Sequence, residues 1–103
     1  MPIRPGDFWV ADIPFTDRSS SKKRPVLVLW LDGLDAVVAA VTSVAPRTPT
    51  DWRAAGLRIA STVRLARLDC LEQPLLLFHL GTVSSLDAHN LKKVLSAHVQ
   101  PQF

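Results

Sequence analysis

Arg24 and the pair Thr42-Ser43 are polar positions set against the most apolar stretches of the chain. Arg24 closes a Ser/Lys segment and opens the run Pro25 to Leu31, while Thr42 ends the run Ala36 to Thr42. Asp32-Gly33 between the runs is a hairpin signal. The start of one strand then lies beside the end of the next, which predicts Arg24 close to Thr42. A guanidinium fork beside a hydroxyl can hold a phosphate group. The plainer alternative is a solvated cation and a strand-end hydroxyl, and spacing alone leaves both open.

The remaining reactive side chains form less of a pattern. A single cysteine, Cys70, cannot make an internal disulfide, and with His79, His89 and His98 it gives no zinc-ligand spacing. In its Leu-rich stretch Cys70 reads as a small buried hydrophobe rather than a nucleophile. The histidines read as surface or boundary residues, with His98 on the apolar face of a helix. The chain lacks a Gly-rich phosphate loop, a His-Glu-x-x-His pair and a Gly-x-Ser-x-Gly elbow. No metal or cofactor is expected.

Charge is more informative by position than in total. The net charge is only +3, but Arg18, Lys22, Lys23 and Arg24 fall within seven residues that hold no acid. Residues 47–67 carry Arg47, Arg53, Arg58, Arg64 and Arg67 against the single acid Asp51. Clustered cations of this kind suit a polyanion partner, or they form a solvated basic face.

These residues need a scaffold, and 103 residues with 48% hydrophobic and 20% charged content suit one folded domain spanning 1–103. Asp7 to Ile13 alternates and predicts a strand. Residues 14–23 predict a polar loop, and Pro25 to Leu31 a strand buried on both faces. Residues 44–56 predict a long loop with a helical turn at Trp52 to Ala55. Leu57 to Ile59 and Thr62 to Leu65 predict short strands, Leu68 to Pro74 an irregular segment, and Leu75 to Leu80 a strand. Ser84-Ser85-Leu86-Asp87 matches a capping box, and Ala88, Leu91, Val94, Leu95 and His98 follow at helical spacing. Short strands with one late helix indicate a small, mostly antiparallel barrel. The longest apolar runs have six residues, against the ~18–20 that span a bilayer, and no export signal is visible. A cytoplasmic location with no membrane association is expected.

Five ordered segments carry a family resemblance. They are Arg4-Pro5-Gly6-Asp7-Phe8-Trp9-Val10-Ala11-Asp12, Lys22-Lys23-Arg24-Pro25-Val26-Leu27-Val28, Ala39-Ala40-Val41-Thr42-Ser43, Ser61-Thr62-Val63-Arg64-Leu65 and Leu80-Gly81-Thr82-Val83-Ser84. With Ala54-Ala55-Gly56-Leu57, they span nearly the whole chain. In this order they resemble the MazF/PemK family, the toxins of type II toxin–antitoxin pairs. The resemblance implies an SH3-like antiparallel β-barrel (MazF/CcdB-like) with a C-terminal helix, assembled as a homodimer. It implies a metal-independent, sequence-selective endoribonuclease that cuts single-stranded RNA and is blocked by a cognate antitoxin protein.

The resemblance also implies roles for individual residues. The catalytic Arg of the family's Arg-Pro-x-x-Val motif maps to Arg24, and its strand-end Thr to Thr42. Some members add an Arg and an Asp two residues apart; the Arg maps to Arg64, but the Asp position holds Ala66. Metal-free RNA cleavage needs a proton acceptor, a proton donor and stabilisation of added negative charge. Arg24 and Arg64 suit the last task. The base is unassigned, with Asp12, Asp17, Asp69 and His79 candidates on chemical type only. The two basic segments supply expected RNA contacts: Phe15, Arg18, Lys22 and Lys23 from one, Ser43, Arg47, Trp52 and Arg53 from the other. Phe15 and Trp52 either stack unpaired bases or pin their loops to the barrel. Two other functions are weighed beside cleavage: a CcdB-like toxin acting on a protein such as gyrase, and a non-catalytic RNA-binding barrel.

Overall fold

The computed structural model describes residues 2–14, 20–54 and 61–103. Six strands, β1 (Asp7–Pro14), β2 (Ser21–Asp32), β3 (Asp35–Thr42), β4 (Asp51–Ala54), β5 (Ser61–Glu72) and β6 (Leu76–Thr82), precede one helix, α1 (Ser85–His98). A 3₁₀ turn at Gln73–Leu75 joins β5 to β6. The strands form one sheet in the order β4-β5-β3-β2-β1-β6, and every ladder is antiparallel.

Alternation explains the packing, because successive strand residues face opposite sides of a sheet. Phe8, Leu27, Ala39, Val41, Val63 and Leu65 gather on one face, where Leu91 of α1 joins them. Trp9, Ala11, Val26, Val28, Val38 and Leu71 gather on the other. Both faces hold buried residues: α1 packs on the first, and Ile3, Ile13 and Leu75 pack on the second. Between Ala39 and Ala40, the β5 partner jumps from Leu68 to Arg64, so Leu65, Ala66 and Arg67 have no partner on β3. Such an excursion bends its strand sharply. Among the described residues β4 and β6 do not pair, so the expected barrel is an open one.

Two glycines hold turns that other residues would strain. Gly33 (φ +62) makes the β2–β3 hairpin. Gly6 (φ +92) leads into β1, donating its N–H to the Val28 carbonyl at 2.8 Å and accepting from the Val83 N–H at 2.9 Å. Ser84 caps α1 as expected, its hydroxyl accepting from the Asp87 N–H at 3.1 Å.

Several local expectations are corrected. β2 starts at Ser21, so Lys22, Lys23 and Arg24 are strand residues paired with Ile13, Asp12 and Ala11. Only Val26 to Val28 of the run Pro25 to Leu31 are fully buried; Trp30 and Leu31 are exposed. The expected helical turn at Trp52 is strand β4, and the expected irregular segment after Leu68 continues β5. Pairing with neighbours decided both. Cys70 is exposed rather than buried, and so is His98 in the last turn of α1. The expected strand Leu57 to Ile59 lies outside the described residues.

Candidate functional site

A cleft of about 340 Å³ opens on the sheet face opposite α1. Lys22, Arg24, Thr42, Arg64, Arg67 and Asp69 line it, over a floor that includes Val26, Val38 and Ala40. The ladders explain why these side chains meet. Val26 pairs with Ala40, and the same register continued by two residues sets Arg24 across from Thr42. Ala40 pairs with Arg64, which pairs with Asp51; Thr42 pairs with Thr62, which pairs with Arg53. Arg24, Thr42 and Arg64, singled out in the sequence, therefore share one cleft.

Arg64 is fixed from behind. Its Nε donates to Asp51 Oδ1 at 3.4 Å, while Asp51 Oδ2 accepts from the Arg47 N–H at 3.0 Å. Burial pushes the Asp51 carboxyl up, but the Arg47 amide, the Arg64 guanidinium and the Thr48 hydroxyl outweigh it. They hold the group below the usual carboxylate range. Among the described residues nothing accepts from the two terminal nitrogens of Arg64, whose donors can serve a ligand. Thr42 Oγ1 accepts from the Val44 N–H at 3.3 Å, which orients the hydroxyl. Arg53 donates to Thr62 Oγ1 at 2.8 Å and to the Ser43 carbonyl at 3.4 Å, tying β4 to the end of β3. Among the described residues, four cations and one carboxylate line the cleft, a field that favours an anion.

The other expected contacts divide. Lys22 lines the cleft; Lys23, one residue on, faces the opposite side. Ser43 and Arg47 are exposed just past β3. Trp52 is turned to the helix face: its indole N–H donates to Asp87 of α1 at 3.0 Å, and its ring packs on the core there. The sheet lies between that ring and the cleft, so Trp52 reads as a pin. Phe15, Arg18 and Asp17 lie outside the described residues.

Of the candidate bases, Asp12 pairs with Lys23 on the far face. His79 lies 3.4 Å from Asp7 Oδ2 and edge-on to Trp9, beside a separate pocket with Arg4. Asp69 lines the cleft. Arg67 lines it as well, a position that the sequence marks only as part of the basic run 47–67. Exposed Cys70 donates to Asp35 at 3.8 Å; burial, then Asp35, Asp32 and Asp69, pushes its thiol up, the reverse of an activated nucleophile. Among the described residues, no cluster of His, Cys, Asp or Glu could hold a metal ion, and no helix is long and apolar enough to cross a membrane.

The fold is that of the MazF toxins. A mycobacterial endoribonuclease solved with its cognate antitoxin superposes with a TM-score of 0.78 at 17% identity, covering 100% of both chains. The Mycobacterium tuberculosis toxin MazF-mt6 gives 0.71 at 21% identity, over 90% of this chain and 93% of that one. MazF from Deinococcus radiodurans gives 0.72 at 18% identity, over 95% and 96% respectively. Neither the models of known protein families nor the curated protein sequences match this chain.

Proposed function

We propose that this protein is an endoribonuclease toxin of a toxin–antitoxin pair, cutting single-stranded RNA at selected sites without a metal ion. The observation that carries the reading is the meeting of Arg24, Thr42 and Arg64 in one cationic cleft, on a fold shared with solved endoribonuclease toxins. In the reaction, a ribose 2′-oxygen attacks the adjacent phosphorus and the bond to the 5′-oxygen breaks. The products are a 2′,3′-cyclic phosphate and a 5′-hydroxyl. Arg24 and Arg64 bind the phosphate and stabilise its extra negative charge as the transition state forms. Thr42 orients a phosphate oxygen, and Lys22, Arg67 and Arg53 attract the flanking strand. Ser43 and Arg47, exposed just past β3, belong to the extended RNA surface in this reading.

The cognate antitoxin is proposed as the protein partner, by analogy with the structure solved as such a complex. A homodimer in the cytoplasm completes the reading. Exposed Trp30, Leu31 and Leu34 at the β2–β3 hairpin, and Phe78 and Leu80 on β6, supply apolar surface for protein contacts.

The test is purified protein with labelled single-stranded RNA in excess EDTA. Discrete cuts are expected, abolished by a 2′-deoxy substitution at the cut site. Intact RNA with inhibited DNA supercoiling would favour a gyrase-directed toxin instead; salt-sensitive binding without cuts would favour a non-catalytic barrel.

A further inference from the structure

We propose that Asp69 is the general base of this cleft, the group that takes the proton from the attacking 2′-hydroxyl. This assignment rests on the ribonuclease reading above. Asp69 is the one carboxylate among the described residues that line the cleft.

The reason lies in the β5 excursion. Thr62 and Arg64 face the cleft, and unbroken alternation would send Asp69 to the helix face. Leu65, Ala66 and Arg67 drop out of the ladder, and an odd number of extra residues reverses which positions face inward. Leu71 accordingly packs with Trp9 and Val38, on the side opposite Leu65. Asp69, two residues before Leu71, shares its face and pairs with Val38. Ala66, where a carboxylate is missing, and Arg67 sit within the excursion; Asp69 lies just beyond it, and Arg67 and Asp69 both line the cleft.

The local geometry suits a base. The Cys70 N–H donates to Asp69 Oδ1 at 2.9 Å, fixing the carboxylate and leaving Oδ2 to accept a proton. Asp69 stands opposite Val38 and Arg64 opposite Ala40, two residues apart along β3. That separation is about 7 Å at the usual strand rise. A phosphate on Arg64 and its neighbouring 2′-hydroxyl span such a gap. Among the described residues that line the cleft with Asp69, the charged groups are Lys22 and Arg24 from β2 and Arg64 and Arg67 from β5; outside the cleft, Asp32 of β2 and Asp35 of β3 act with Asp69 on the neighbouring Cys70 thiol. The 2′-O–P bond forms as the P–O5′ bond breaks. The 2′ proton passes to Oδ2 of Asp69, the leaving 5′-oxygen takes a proton from water, and Asp69 later returns its proton to water.

The experiment measures kcat and KM against pH for the native protein, Asp69→Asn and Asp69→Glu, on a short RNA with one mapped cut site. Asp69→Asn is expected to lower kcat by about 10²–10⁴-fold with KM little changed. Native kcat falls as pH drops through the carboxylate range, a limb absent from the Asn variant, and Asp69→Glu recovers part of the rate. The assignment is overturned if Asp69→Asn keeps its rate within about threefold and retains that acid limb. An unchanged rate with an altered cut motif overturns it too, since Asp69 would then read a base. Should Asp69→Asn fail to fold, the native profile decides, and a flat acid side contradicts the assignment. A native protein that cuts no RNA overturns the ribonuclease reading itself, and this assignment with it.

Discussion

Arg64 illustrates how a single side chain is made useful here. Its Nε is held by buried Asp51, and Asp51 is held by the Arg47 amide. Replacing Asp51 by Asn removes the charge behind Arg64 while keeping shape. Cleavage is expected to fall at least tenfold, roughly 1.4 kcal/mol, read as kcat at saturating RNA. Stability has a linked pH dependence. The folded-state value for Asp51 is lowered, so its contribution is complete above the unfolded value of about 4 and is lost as pH falls through the folded one. Urea midpoints measured from pH 6 downward should fall less steeply for Asp51→Asn than for the native chain. At this scale the sequence was readable where a hairpin did the positioning, as for Arg24 and Thr42. Arg64 needed the family resemblance, because its strand partners lie far away in sequence. Asp69 was legible only as a base candidate by chemical type and Arg67 only as part of a basic run, because the ladder excursion that brings them to the cleft has no signal in residue type.

Elements differ in how locally they are determined. The helix was legible because Ser84 caps it and apolar residues repeat at its own period. Ser84→Ala is expected to cost about 1 kcal/mol. Thermal melts should show that as a drop of roughly 4–8 °C for a domain of this size. Strand β4 was not legible: Asp51-Trp52-Arg53-Ala54 is short, and its pairing with Ser61 to Arg64 buries Asp51 and Ala54. Strand preference reflects such packing more than intrinsic tendency. Trp52 then joins this strand to α1 through Asp87. Trp52→Phe removes a hydrogen bond to a buried carboxylate, a loss of roughly 1.5–3 kcal/mol. Melting temperature should fall while RNA affinity, scored at matched folded fraction, stays unchanged. A Trp52 that stacked bases would instead lower affinity and leave the melt alone.

For the whole molecule, a modest net charge conceals a strong local field. Lys22, Arg24, Arg64 and Arg67 converge on one cleft around Asp69, whereas Asp32 and Asp35 stand by exposed Cys70. Binding of an uncleavable 2′-deoxy single strand should therefore weaken linearly in log Kd against log salt. Each phosphate contact removed, as in Lys22→Ala, should flatten the slope by about 0.7. Both buried faces of the sheet were foreshadowed by the apolar run at Val26 to Val28, but its exposed end at Trp30 and Leu31 was not.

The central claim is that Arg24 and its neighbours cut RNA in this cleft. Mapping the 5′ ends of a long single-stranded RNA after brief incubation in EDTA, with native protein and Arg24→Ala side by side, tests it most directly. The account predicts new 5′-hydroxyl ends at recurring short motifs with the native protein and none with the variant. RNA left intact by the native protein, or the same ends produced by Arg24→Ala, would contradict it.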